Sequence, residues 1–279
     1  MSGQNLDLQM RWLGVAGFEF KSNGHTLLVD PFLTRPALKY TIGGSVKPNE
    51  RNLTKQIQAA EDILVTHAHY DHLMDVPEIT KRTGATVYGS PNTCQILRAF
   101  QIAEGQIKTL QVNESVRLGY ANVCTTPARH PAIPGYLSGK LKKDLTPPLR
   151  LQDYRMDTCL SYLIELQGIK LLMWSSTSSD DARPADVLFV RAVASKRWYE
   201  EVLAAVRPRL VIPTHWDNLF QPITKPMQPF WSPPRWGWPP LRKINLNDFE
   251  KILHQVQPDC RVLIPQPFKS YHLMDEMNS

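Results

Sequence analysis

Residues Thr66-His67-Ala68-His69-Tyr70-Asp71-His72 place three imidazoles and a carboxylate within six positions. They follow a short apolar run at 62–66, where a strand gives way to a loop, and packing alone does not ask for such a set. Neutral imidazole is a common ligand of borderline cations such as Zn²⁺. In an extended segment His67 and His69 project to the same side, so both reach one ion. Asp71 and His72, where the chain turns, face a neighbouring position. The chemistry this supports is metal-assisted hydrolysis. A bound dication lowers the pKa of its water from about 15.7 to about 7 and polarises the bond under attack. Asp71, beside that water, is the group to orient it or take its proton.

Such a cluster needs a rigid frame. Residues 11–20 are rich in apolar and aromatic side chains and read as a strand; Ser22-Asn23-Gly24 supplies a hairpin turn, and 26–29 returns. Further strands are expected at 85–88, 107–110, 115–118, 121–126, 159–166, 169–174, 187–190, 210–213 and 262–264. Helices are expected from a cap at Asp75 to Gly84, from Ser90-Pro91 to about Phe100, and over 197–206 and 247–256. Strand runs interrupted by helices predict one layered α/β domain over residues 1–279. Two segments break the pattern. Residues 131–157 mix prolines, glycines and bases, and residues 221–243 are dense in proline and tryptophan; both are expected as loop insertions.

With these elements in place, His67-Ala68-His69-Tyr70-Asp71-His72 resembles the HxHxDH signature of the metallo-β-lactamase superfamily. Residues 12–18 with 27–32 look like that fold's opening hairpin. Thr126-Pro127-Ala128-Arg129-His130 looks like its third metal motif, and Ile212-Pro213-Thr214-His215 like its last. The wording is most similar to the branch of L-ascorbate-6-phosphate lactonase and the N-acyl-phosphatidylethanolamine phospholipase D type enzymes. The resemblance implies a four-layer αββα sandwich. It implies a first metal held by His67, His69 and His130, and a second by Asp71, His72 and His215. It also implies that Asp30 supports the histidine loop from behind.

One position departs from that pattern. Dinuclear members carry a bridging aspartate after a hydrophobic strand, and here Ser176 occupies the place. A serine hydroxyl supplies neither the charge nor the bridge. The reading therefore favours a single tightly held ion with a weaker or empty second site, or else Asp180 or Asp181 looping back as replacement ligand beside Ser176. Zinc suits the donors, as one or two ions, with manganese or iron as alternatives. Where the second ion is absent, His72 or His215 is free to protonate a leaving group.

The expected reaction is cleavage of a lactone, ester or phosphodiester bond in a small molecule, anionic or lipid-like. Arg129, Trp216, Trp231, Trp236 and Trp238 are the candidate substrate-loop residues, since half-wet aromatics among bases suit an apolar, anionic ligand or a peripheral membrane contact. The same loop suits a self-packed cap or a homo-oligomer contact. Asp217 reads as a hydrogen-bonding loop residue and Tyr70 as a packing or lip residue. His25, His254 and His272 match no motif. The alternatives are a non-catalytic metal- or ligand-binding protein of this fold, and a metal-dependent nuclease. The formal charge of +6 and a pI near 9.1 fit the latter. Yet the stretch between Ser176 and His215 has no room for a nuclease insertion, and no basic stripe interleaves with stacking aromatics, so nucleic acid is not an expected partner. The 279 residues hold 21% charged and 42% hydrophobic positions. That composition excludes a disordered or collagen-like chain. No apolar run is long enough for a bilayer, the start does not read as a secretory signal, and four scattered cysteines suit a reduced, cytoplasmic setting.

Overall fold

The structure, a computed structural model, describes residues 7–41, 43–131, 135–142, 144–232 and 242–278. Alternation along its strands decides the layers. In β3 (His25–Val29), after β1 (Leu8–Gly14) and β2 (Gly17–Ser22), Leu27 and Val29 join one apolar cluster and Leu28 joins another. The first cluster fills the space between two sheets and continues under the helices of the second; the other cluster lies under the helices of the first. This is the period-two signature of a sheet covered on both faces.

The first sheet continues in parallel through β4 (Asp62–Leu64), β5 (Thr86–Gly89) and β6 (Ile107–Thr109). The second contains β7 (Ser115–Arg117), β8 (Ala121–Pro127), β9 (Leu160–Leu166), β10 (Ile169–Trp174), β11 (Val187–Arg191) and β12 (Leu210–Thr214). Trp231–Ser232 (β13) and Arg242–Lys243 (β14) form a small separate ribbon. Arg261–Val262 (β15) extends the second sheet beside β12, and Ser270–His272 (β16) extends the first beside β1.

Helices cover both outer faces. Against the first sheet lie α1 (Glu50–Gln56), the short α2 (Tyr70–Leu73), α3 (Val76–Thr83) and α4 (Pro91–Ala99), burying Leu53, Leu73, Ile79 and Leu97. Against the second lie α5 (Lys196–Val206) and α6 (Leu246–Val256), through Tyr199, Val202, Phe249 and Leu253. The terminal α7 (Leu273–Asn278) packs beside β1 and β16. Helix, sheet, sheet, helix is the layering expected of the αββα sandwich. Among the described residues, no helix is long and apolar enough to cross a membrane.

Several local expectations need correction. The strand expected over 11–20 is two strands, because the chain turns at Val15-Ala16. Gly14 takes a φ of +94° and Val15 one of +52°. A Cβ on Gly14 would come within 1.8 Å of Arg35 Nη2, so only glycine fits there. Asp75 precedes α3 but its side chain does not cap that helix. It accepts instead from the backbone N–H groups of Leu33 (2.6 Å) and Thr34 (2.8 Å) and from the Thr34 hydroxyl. The strand expected at 262–264 is Arg261–Val262, and β16 and α7 follow it. The segment 131–157 is irregular only in part: Leu149, Leu151 and Tyr154 are buried in the helix-side core.

Candidate metal centre

The candidate ligands gather at one edge for a topological reason. Strands β4, β11 and β12 each have a parallel neighbour. Strand β8 is antiparallel to β9, which is antiparallel to β10, so β8 runs with β10. Strands β8, β11 and β12 thus point one way in their sheet, as β3 and β4 do in theirs, and the residues after them meet at one cavity, at strand carboxyl ends where α/β folds bind ligands. His67 follows β4, His130 follows β8, His215 follows β12 and Asp30 follows β3.

There the side chains form two groups of three. His67, His69 and His130 make one; Asp71, His72 and His215 make the other. In each, one ligating atom per residue lies within 4.8 Å of the other two. The hydrogen bonds behind these rings fix their tautomers. Thr66 donates its hydroxyl proton to Asp30 Oδ2 at 2.6 Å and its backbone N–H to Oδ1 at 2.8 Å. With its proton spent, the hydroxyl can only accept from His67 Nδ1–H at 3.0 Å. His67 Nε2 is then bare. His72 Nδ1–H donates to Asp30 Oδ2 at 2.7 Å, which turns its Nε2 toward the site. His69 Nε2–H donates to the Leu137 carbonyl at 3.2 Å, and His130 Nδ1–H to that of Pro131 at 2.9 Å. The inner nitrogens of His67, His69 and His130 therefore present lone pairs. Partners of this kind orient metal-bound imidazoles.

This arrangement tests whether the donors fit a cation. His67 Nε2 and His69 Nδ1, both bare, face each other at 3.0 Å. Two lone pairs at that distance repel, and a shared cation removes the conflict. Burial, with the neighbouring imidazoles, holds His67 well below its usual range, brings His69 to about 4 and His215 to about 3, and lowers His130. These four rings are neutral donors at neutral pH. Burial pushes Asp71 up, but His72, His215 and His69 outweigh it and hold the carboxyl low. Burial pushes His72 down, but Asp30 and Asp71 outweigh it and raise the ring. The donor set fits a dication.

His215 is held by a buried clasp. Its φ is +54°, and its N–H donates to the Val15 carbonyl at 3.1 Å. Two residues on, Asp217 accepts from Val15 N–H at 3.1 Å and pairs with Arg35 Nη2 at 2.5 Å, both side chains fully buried. Arg35 Nη1 also donates to the Asn218 carbonyl at 3.2 Å. The β1–β2 turn, the loop after β3 and the loop after β12 are thereby tied together.

A cavity of about 360 Å³ opens over both triads. Its walls are mostly apolar, with Met173, Trp174, Phe189, Leu219, Phe230 and Ile244 among them; Arg191 is the lone arginine or lysine lining it among the described residues.

A model of the β-lactamase superfamily domain matches residues 25–216 of this chain. The chain belongs to this superfamily. A UPF0173 metal-dependent hydrolase of Pyrobaculum arsenaticum is 29% identical over 218 residues, covering 76% of this chain and 85% of that protein. Among solved structures, Igni18, a metallo hydrolase from Ignicoccus hospitalis, has a TM-score of 0.63 at 16% identity, covering 95% of this chain and 97% of that one. The metallo-beta-lactamase fold protein YhfI from Bacillus subtilis has a TM-score of 0.57 at 13% identity, covering 96% and 99%. These two likenesses speak for the fold.

Within this superfamily's frame, several candidate residues lie elsewhere than expected. Ser176 is buried, and its hydroxyl accepts from the backbone N–H of Arg129 and of Ser178, each at 3.0 Å. It braces the loop that carries His130, and Ser175 lines the cavity in its place. Asp180 is not brought to the triads: it is exposed and faces Arg129 at 3.4 Å. Arg129 is correspondingly exposed and outside the cavity lining. Trp216 is not on a substrate loop either. It is buried and stacks on Trp12 with ring centroids 5.2 Å apart. Trp231 does line the cavity and is 51% exposed; Trp236 and Trp238 lie outside the described residues. Tyr70 lines the cavity and meets Phe32 edge-on. Arg191 and the Arg35 side of the clasp were missed by sequence reasoning. The run Val187-Leu188-Phe189-Val190-Arg191 does hold a signal for the former, because a base on the apolar face of a buried strand is unusual.

Proposed function

We propose that this chain is a metal-dependent hydrolase that cleaves a lactone, ester or phosphodiester bond in a small molecule. One observation carries the reading: the bare nitrogens of His67 and His69 meet at 3.0 Å, with every outer nitrogen already committed. We assign His67, His69 and His130 to one ion, with zinc as the ion of choice and manganese or iron as alternatives. When bound, such an ion supplies a water acidic enough to ionise near neutral pH and a positive charge to polarise the scissile bond. The chain's own residues do the rest. Asp71, held as a carboxylate among three imidazoles, orients the attacking water and accepts its proton. Asp30 and Thr66 keep His67 and His72 in register behind the site. The apolar walls exclude competing water.

With Ser176 in place of a bridging carboxylate, we favour one firmly held ion. The assembled second triad supports a second reading with two, in which Asp71, His72 and His215 are ligands. In the first reading His72 Nε2 carries a proton toward the leaving group. Metal content per chain after gentle purification separates them: one equivalent supports the mononuclear reading and two tightly held equivalents reject it. A metal-supplemented screen across lactone, ester, thioester, phosphodiester and amide substrates tests hydrolysis itself. Asp71→Asn should lower turnover on any hit by roughly 10²-fold or more with metal retained. A flat screen with metal bound would favour the non-catalytic binding reading.

A further inference from the structure

The apolar cavity holds one feature the proposed hydrolysis does not use. Along β11, Val187, Phe189 and Arg191 share a face, since side chains alternate across a strand. Phe189 points between the sheets, where it meets Phe18 edge-on at 4.6 Å. Arg191 therefore ends an apolar inter-sheet row and enters the cavity beside Met173, Trp174 and Phe230. In register it lies opposite Thr214, the residue before His215. It shares the cavity lining with His67, His69 and His130 of the first triad and with Asp71, His72 and His215 of the second. A permanently charged guanidinium directed at a site built for dications is repelled by whatever cation enters there. An anion lying between the two removes the repulsion and draws on both.

We propose that Arg191 is a specificity-determining residue that binds an anionic group of the substrate, and that the apolar walls take a hydrocarbon portion of the same molecule. This rests on the metal-dependent reading above and narrows its substrate class to amphiphilic anions with a phosphate or carboxylate headgroup. The planar guanidinium gives either headgroup two parallel hydrogen bonds. A cavity of about 360 Å³ holds a headgroup with a short chain and leaves the exposed Trp231 at its lining to meet the rest.

Calorimetric titration of the metal-loaded full chain tests this with inorganic phosphate, hexyl phosphate, decyl phosphate, decanoate and decanol as probes. Metal content is measured on the same samples, and each titration is repeated on chelator-treated chain. Decyl phosphate or decanoate should bind at least about tenfold more tightly than inorganic phosphate or decanol, and the better of the two identifies the headgroup. Arg191→Met should weaken the anionic probe by roughly tenfold or more while metal content holds. Arg191→Gln, close in shape, should behave alike and guards against a folding defect in the first variant. Wild-type affinity in either folded variant overturns the assignment, as does affinity independent of chain length. A chain that carries no metal but still binds anions through Arg191 would sink the hydrolase reading and leave this one standing. A metal-loaded chain indifferent to Arg191 would do the reverse.

Discussion

The buried pair of Arg35 and Asp217 makes the sharpest test of how the site is held. Both side chains are fully buried, with the charged atoms 2.5 Å apart, and Asp217 also accepts the N–H of Val15. Asp217→Asn removes the paired negative charge and leaves the guanidinium in the interior with the Asn218 and Gln221 carbonyls and, farther off, the Asp75 carboxyl. Breaking one side of a buried pair costs about 3–5 kcal/mol, because the remaining charge is uncompensated. With a urea m-value of about 3 kcal/mol/M, the unfolding midpoint should fall by about 1–1.7 M. Arg35→Met should cost a similar amount from the other side. The double variant should cost less than the sum by about 2 kcal/mol or more, since no charge is then stranded. Urea unfolding of the four proteins at one fixed metal concentration measures the cycle. Additivity within about 0.5 kcal/mol, or a single variant costing under about 1 kcal/mol, would refute the claim that this pair ties three loops together. Because the same clasp holds Val15 against His215, the folded fraction of Asp217→Asn should also lose more metal affinity, relative to the unmutated chain, at the second triad than at the first.

Three further outcomes follow from named contacts. Gly14→Ala, at a φ of +94° and with its new carbon 1.8 Å from Arg35 Nη2, should cost roughly 3 kcal/mol or more by urea unfolding. Part of that should return in an Arg35→Met background, where the colliding nitrogen is gone. Trp216→Ala should cost roughly 3–5 kcal/mol, because Trp216 is a buried ring stacked on Trp12, whereas Trp231→Ala should cost under about 0.5 kcal/mol yet weaken decyl phosphate binding in calorimetry. Burial pushes the Asp62 carboxyl up, with the Tyr120 hydroxyl at 2.8 Å offsetting it in part. The folded chain thus holds that proton more tightly than the unfolded one, and stability falls as pH rises from about 4 through the raised value. Asp62→Asn should remove that slope, read as the difference between the two stability curves over pH 4–7.

The ligand set was legible because its chemistry is local. His67, His69, Asp71 and His72 sit within six residues, and His130 and His215 each follow an apolar strand with a terminal proline or threonine near it. The layering was legible for a similar reason, since strand alternation and the cap at Ser90 are short-range signals. What escaped was long-range. Arg35 and Asp217 are 182 positions apart, and nothing near either residue announces the other. Val15 and Ala16 read as strand because they are apolar, while their turn is fixed by Asp217 and His215 from across the molecule. Trp216 beside a ligand looked like a substrate contact, but the Trp12 ring waiting for it belongs to the opening strand. Helix α1 and strand β16 are short, and their burial against neighbours outweighs weak intrinsic signals.

The positions of Ser176 and Arg191 together bear on how this site differs from a bridged dinuclear centre. A bridging carboxylate fixes two cations at once and supplies negative charge between them. Here that place in the chain holds a hydroxyl turned toward backbone N–H groups, and its work is to brace the loop carrying His130. The chain thus offers the first triad three neutral rings and the second one carboxylate with two rings, while adding a guanidinium to the cavity lining. With a dication bound, the Asp71 and Asp30 carboxylates at the cavity floor offset only part of the positive charge that the ion and Arg191 bring. The cheapest remaining source of negative charge is the ligand. An anionic headgroup approaching Arg191 would complete electrostatically what Ser176 leaves out. Metal affinity should therefore rise when decyl phosphate is present, because two ligands that favour one charge arrangement must strengthen each other's binding. Competition with a chelator, with and without the alkyl phosphate, measures that linkage. Metal affinity unchanged by a saturating anion would show that the two sites do not share their charge.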